Sequence, residues 1–163
     1  MGIGKGLRSG YSSATKENVV FIPGDNQYDI NELTPFANFS DNKFICFYRV
    51  ENIQYSLFRN GLSLFNKILN KYFLGIKIKD VNWVKIYKTT YLKKLDLHLT
   101  SSLIESEICA KLISIGIEPL EVRSKYLKRE KGKSKGANAK TVFMAMKDIF
   151  KLMAIVNYFK FTK

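Results

Sequence analysis

Val84-Lys85-Ile86-Tyr87-Lys88, Leu95-Asp96-Leu97-His98-Leu99 and the run from Thr100 to Val122 decide how this chain folds. In the first two stretches apolar side chains fall on every other residue, the period of a strand with one buried face. Thr89 to Lys94 between them has the length of a hairpin loop but no Gly and no Asn-Gly turn signal, so nothing local sets the register. Thr100-Ser101-Ser102 offers hydroxyls for a helix N-terminus, and Ser102 with Glu105 has the spacing of a capping box. Leu103, Ile104, Ile108, Leu112 and Ile115 recur at helical spacing, and Gly116 stands where a left-handed C-cap is favoured. Ile117 to Val122 reads as a third strand, restricted by Pro119 to an edge or a strand end. The expectation is a β-β-α-β unit.

Working outward, Ser56 to Phe73 predicts a helix with Leu57, Phe58, Leu62, Phe65, Ile68, Leu69 and Tyr72 on one stripe, ended at Gly75. Lys67 and Lys71, one turn apart, belong to its solvent side. Phe44 to Val50 is the most strand-like run and reads as buried on both faces. Val19 to Ile22 is a short apolar run closed by the turn residues Pro23-Gly24-Asp25-Asn26, and Gln27 to Asn42 is loop with a helical turn near Asn31 to Leu33. Trp83 reads as a core or hinge anchor. Thr141 to about Tyr158 predicts a last helix with a wide, Met-containing apolar face.

Charge narrows the function classes. The chain has 163 residues, 46% of them apolar, with 27 Lys+Arg against 14 Asp+Glu, a net charge of +13. Such an excess repels itself and points to a polyanionic partner. It is also concentrated. Arg123, Lys125, Lys128, Arg129, Lys131, Lys133, Lys135 and Lys140 meet one acid, Glu130, which leaves +7 between residues 123 and 140. Gly132, Ser134 and Gly136 make this segment pliable, as expected of a loop that follows a nucleic-acid backbone. Residues 1 to 18, with Gly2, Gly4, Gly6 and Gly10 beside Lys5, Arg8 and Lys16, read as a flexible basic arm that orders on a partner. Residues 19 to 163 read as one α+β domain. Lys outnumbers Arg 22 to 5, a skew that fits an A/T-rich genome better than a physical requirement.

Several classes find no support. Cys46 and Cys109 are too few and too widely spaced for a metal site or a disulfide framework, His98 is the single histidine, and no nucleophile motif or cofactor fingerprint occurs. No apolar run reaches membrane-spanning length, and no secretory signal or Arg-rich presequence is evident. We therefore expect no enzyme activity, no cofactor, no metal and no membrane span.

The element order from 56 to 158 (helix, strand, strand, helix, strand, helix) resembles the KH half of the small-subunit ribosomal protein that lies where mRNA enters the ribosome. Met1-Gly2 with Gly6-Leu7-Arg8 is similar to that family's basic, glycine-rich start. Trp83 to Lys88 stands at its first KH strand, Leu95 to Thr100 at its second and Glu118 to Arg123 at its third. The resemblance implies a KH-like α+β domain with an extra N-terminal strand region, bound to rRNA and neighbouring ribosomal proteins. With the A/T-rich skew and no Arg-rich presequence, we expect a mitochondrial ribosome and a chain made inside the organelle, the alternative location being the cytoplasm. The family's G-x-x-G clamp is replaced by Ser101-Ser102-Leu103-Ile104, and its second domain is not seen in the sequence, so it would have to be lost or supplied by another chain. Two other readings stay open: a viral or plasmid nucleic-acid-binding or assembly protein, and an accessory subunit of a large organellar complex docked through the last helix.

Overall fold

Four strands form one mixed sheet: Asn18–Val20 (β1), Lys43–Arg49 (β2), Lys85–Lys88 (β3) and Glu118–Ser124 (β4), in the order β1-β3-β2-β4. They are seen in a computed structural model that describes residues 3–50, 57–127 and 139–162. β3 runs antiparallel to both β1 and β2, whereas β2 and β4 are parallel, in register from Lys43↔Glu118 to Arg49↔Ser124. The helices are Ile3–Ser13 (α1), Leu57–Ile68 (α2), Thr89–Lys94 (α3), Ile104–Ser114 (α4) and Ala139–Phe161 (α5); Ile30–Phe36 is a 3-10 helix. The protein is α+β.

β2 is central for the reason its composition gives. Phe44, Ile45, Cys46 and Phe47 are all fully buried, with alternate residues feeding opposite faces of the sheet. Phe44 and Cys46 meet Tyr87 of β3 and a layer made by α1, α4 and α5. Ile45 and Phe47 meet Ile86, Tyr28 and Trp83, with Phe36 of the 3-10 helix packed beside them. β4 takes the sheet edge that Pro119 requires.

The expected hairpin does not form. Thr89–Lys94 is the short helix α3, and β3 pairs with β1 and β2. Leu95 to Leu99 keeps the predicted alternation, with Leu95, Leu97 and Leu99 buried and Asp96 and His98 exposed, but it joins no ladder. Its backbone is held by a side chain instead. Glu107 of α4 accepts the N–H of His98 (3.0 Å) and of Leu99 (2.9 Å), and Lys111 donates to the Asp96 carbonyl.

α4 also departs from the expected one-sided helix. Every residue from Ile104 to Leu112 is buried, so the helix is enclosed all round, while Ile115 is exposed. The capping box is not made: the cap, Leu103, has no side-chain bond, and Glu105 reaches into the core. The C-terminus is as expected. Gly116 has φ +81°, and the Ile117 and Gly116 N–H groups donate to the Leu112 and Ile113 carbonyls, a Schellman closure.

The basic arm is corrected as well: Ile3–Ser13 is a helix docked on the body. Gly4, Leu7 and Tyr11 share its buried face, and the Tyr11 hydroxyl donates to Glu105 Oε1 at 2.7 Å. Gly4 is where the backbones approach. A Cβ there would stand 2.2 Å from the Ser101 carbonyl oxygen. Glycines at every second or fourth position suggest pliability in a sequence, but here one of them allows contact.

Candidate nucleic-acid interface

Because β2 and β4 are parallel, their C-terminal ends leave the sheet side by side, with Arg49 opposite Ser124. Arg49 donates to Asp80 through Nε (2.7 Å) and through Nη2 (3.1 Å), a two-pronged pair. Its guanidinium lies 4.7 Å from the Trp83 ring centroid and 5.8 Å from that of Tyr126. Trp83 is in turn fixed by its indole N–H to Ser124 Oγ, 3.1 Å, so it is the anchor expected of it.

Next to Arg49 is a cavity of about 520 Å³. α2 passes without a break into a π-helical turn, Leu69–Phe73, and presents Lys67 and Lys71 on one wall. The strip Ile76-Lys77-Ile78-Lys79 forms another wall. Its isoleucines are buried, and Lys77 and Lys79 are exposed. The strip is held at both ends: the Ile76 N–H donates to the Asn70 carbonyl (2.8 Å), and the Lys79 N–H donates to Glu121 Oε1 (2.8 Å). Among the described residues Asp80 is the one acid lining the cavity, and it already carries Arg49. A second recess holds Arg123 and Lys125 at the end of β4, beside Glu32, which accepts the Lys125 backbone N–H at 2.8 Å.

The expected contact residues therefore divide. Arg123 and Lys125 are exposed at this end of the sheet. Lys5 and Arg8 are exposed on α1, which packs against α3 and α4, and Lys16 precedes β1 at the opposite edge. Lys128, Arg129, Lys131, Lys133 and Lys135 lie outside the described residues, and Lys140 falls on the first turn of α5. Arg49, Lys77 and Lys79 were absent from the expected set. The signal for the two lysines is the alternation of Ile76 to Lys79; Arg49 carries no signal, because only the fold sets its strand end beside that of β4.

Carboxylates are distributed differently. Glu105 sits in the core within 3.0 Å of Lys85 Nζ and accepts both Tyr11 and Tyr87 hydroxyls at 2.7 Å. Burial alone would lower the Lys85 ammonium, but Glu105 beside it holds it above its ordinary range. Glu107 pairs with Lys111 at 2.7 Å, and both side chains are sealed from solvent. Cys46 and Cys109, remote in sequence, meet in this core with the Tyr87 hydroxyl 3.8 Å from Cys109 Sγ. Burial pushes the Cys46 thiol up, toward the inert protonated form. Among the described residues no group of three or more metal-ligating side chains occurs. His98 is a surface residue whose Nε2 lies 3.4 Å from Asp96.

No family model, no curated protein and no solved structure matches this chain. Among the described residues no helix is long and apolar enough to cross a membrane.

Proposed function

We propose that this protein is a non-enzymatic RNA-binding component of a mitochondrial small ribosomal subunit, held to rRNA phosphates by Lys5, Arg8, Lys16 and the basic segment from Arg123 to Lys140. The reading is carried by one asymmetry. Three acids, Asp80, Glu105 and Glu107, are paired with cations within the body of the fold, while Glu121 comes within 3.9 Å of the exposed Lys79. Lys5, Arg8, Lys16, Arg123 and Lys125 are exposed and pair with no carboxylate among the described residues. Glu17, Asp41 and Glu118 are exposed as well, but with a net charge of +13 the outward charge is cationic, which raises the local concentration of a polyanion. The ribosomal part of the reading leans on the sequence resemblance; along the chain α2, β3, α3, the extended Leu95 to Leu99, α4, β4 and α5 follow one another, with no strand at the second KH position. rRNA and neighbouring ribosomal proteins are the partners in this reading.

Binding to structured RNA should weaken steeply with salt, with a log–log slope of about 0.7 to 0.9 per phosphate neutralised. A flat salt profile rejects the reading. Co-sedimentation of the native protein with ribosomal particles distinguishes a ribosomal component from a viral or plasmid nucleic-acid-binding protein.

A second reading, an accessory subunit of a larger organellar complex, is favoured by one observation. Phe65, Ile68 and Tyr72, on the predicted apolar stripe, are exposed, as are Leu64 beside them and Phe150, Tyr158 and Phe161 of α5. An open apolar stripe of this kind is a protein-contact feature. RNase-resistant retention in such a complex would favour it.

A further inference from the structure

We infer that the cavity beside Arg49 is a phosphate-binding pocket, which takes phosphate-ester groups between Lys67 and Lys71 on one side and Lys77 and Lys79 on the other. For the source of the phosphate, an RNA strand, the inference rests on the reading above; the pocket itself does not.

Four observations carry it. The site is a half-open concavity of about 520 Å³, with room for a nucleotide-sized group. Its cations converge from two backbones of different geometry. Lys67 and Lys71 are four residues apart on one helical face, and Lys77 and Lys79 are two apart on an extended strip, so each pair projects to a common side. The backbones beneath them are fixed. Leu74 accepts a hydrogen bond from Lys160 of α5 at 3.1 Å, and Asn70, buried to 3% exposure, holds Ile76 through its carbonyl. Finally, the charge is only partly compensated locally, with Lys79 also over the Tyr48 ring at 4.2 Å. Asp80 is occupied by Arg49, and Glu121 reaches Lys79 only at 3.9 Å. Cations on facing walls favour a ligand with several negative oxygens over a single carboxylate.

Trp83 supplies the readout, because it is the only tryptophan and lies under Arg49, a lining residue of the pocket. The full chain is titrated with inorganic phosphate, a nucleoside monophosphate and a short single-stranded oligoribonucleotide. Trp83 emission and the amide resonances of Asn70, Lys71 and Lys77 are followed. We expect saturable changes that Lys71→Glu with Lys77→Glu weakens by about tenfold or more, roughly 1.4 kcal/mol. Both lysines are exposed, so the fold is retained, as the unchanged thermal midpoint should show. Lys5→Glu with Arg8→Glu should leave the pocket response intact while reducing affinity for long structured RNA. Responses confined to the oligonucleotide identify the strand as the source, and equal responses to the monophosphate identify a free nucleotide. Absence of any saturable change in the wild type overturns the pocket, as does equal affinity in the Lys71/Lys77 variant. If RNA still binds with a steep salt slope in that case, the proposed function survives without the pocket. If phosphate esters bind but structured RNA does not, the pocket survives and the proposed function falls.

Discussion

Lys85 and Glu105 meet at 3.0 Å in the core, on a strand and a helix that the sequence separates by 20 residues. The carboxylate also accepts the Tyr11 and Tyr87 hydroxyls, so one side chain ties α1, β3 and α4 together. Removing it leaves a buried ammonium and two buried hydroxyls without their acceptor. Glu105→Ala should cost about 3–5 kcal/mol, the range for breaking a buried pair from one side. Glu105→Gln keeps an acceptor for the hydroxyls and should cost less. Urea denaturation of the two variants checks this; similar midpoints to wild type would show that the pair contributes little.

The same cluster sets the alkaline limit of stability. Burial and the neighbouring Glu105 hold the Tyr11 hydroxyl well above the usual tyrosine range. Tyr87 is shifted the same way by burial, Cys109 and Glu105. Lys85 is held above its usual value too. All three folded values lie above those of the unfolded chain, roughly 10 for Tyr and 10.4 for Lys. Below about pH 10 their contribution is fully present. Above it the unfolded chain releases protons that the folded state retains, and stability falls by about 1.4 kcal/mol per pH unit for each group. Urea midpoints between pH 8 and 11 should be level at first and then drop steeply, with tyrosinate absorbance rising only on unfolding for these two rings.

Two glycines of one helix should respond oppositely to the same change. Gly4→Ala drives a Cβ into the Thr100 and Ser101 backbone, at 2.2 to 2.3 Å, and should undock α1 at a cost of about 1–3 kcal/mol. Gly6→Ala meets nothing within 4 Å and should stabilise the helix by up to about 1 kcal/mol. Amide exchange along Ile3–Ser13 distinguishes the two, rising in the first and slowing in the second.

The docking of α1 also marks where sequence reading stops. Central burial of Phe44 to Phe47, the edge position of the Pro119 strand and the Gly116 cap follow from local composition, and each is found as expected. The failures share a cause. Glu105 has the spacing of a cap and Leu95 to Leu99 has the period of a strand, but long-range partners override both local preferences. No local rule places Lys85 under Glu105 or sets β2 and β4 in parallel, and the Arg49 end of the candidate interface depends on that second arrangement. Lys67 and Lys71, by contrast, are exposed on α2 and its π turn as helical spacing requires.

Glu107 provides the last test, because it does the work of a missing strand. Its two oxygens hold the N–H groups of His98 and Leu99 and the ammonium of Lys111, with the Glu107 and Lys111 side chains sealed from solvent. Ordinarily a buried pair can be replaced by apolar residues of similar volume with little loss. Here that replacement should fail, since Glu107→Leu with Lys111→Met still leaves two backbone donors, one of them buried, without acceptors, at about 1–3 kcal/mol each. Glu107→Gln with Lys111→Met retains one acceptor oxygen and removes the stranded charge, so it should be the milder double variant. Equal stability of the two doubles would mean that Leu95 to Leu99 is held by its leucines alone. A gap of about 1 kcal/mol or more in favour of the glutamine variant would show that the helix side chain substitutes for ladder hydrogen bonds.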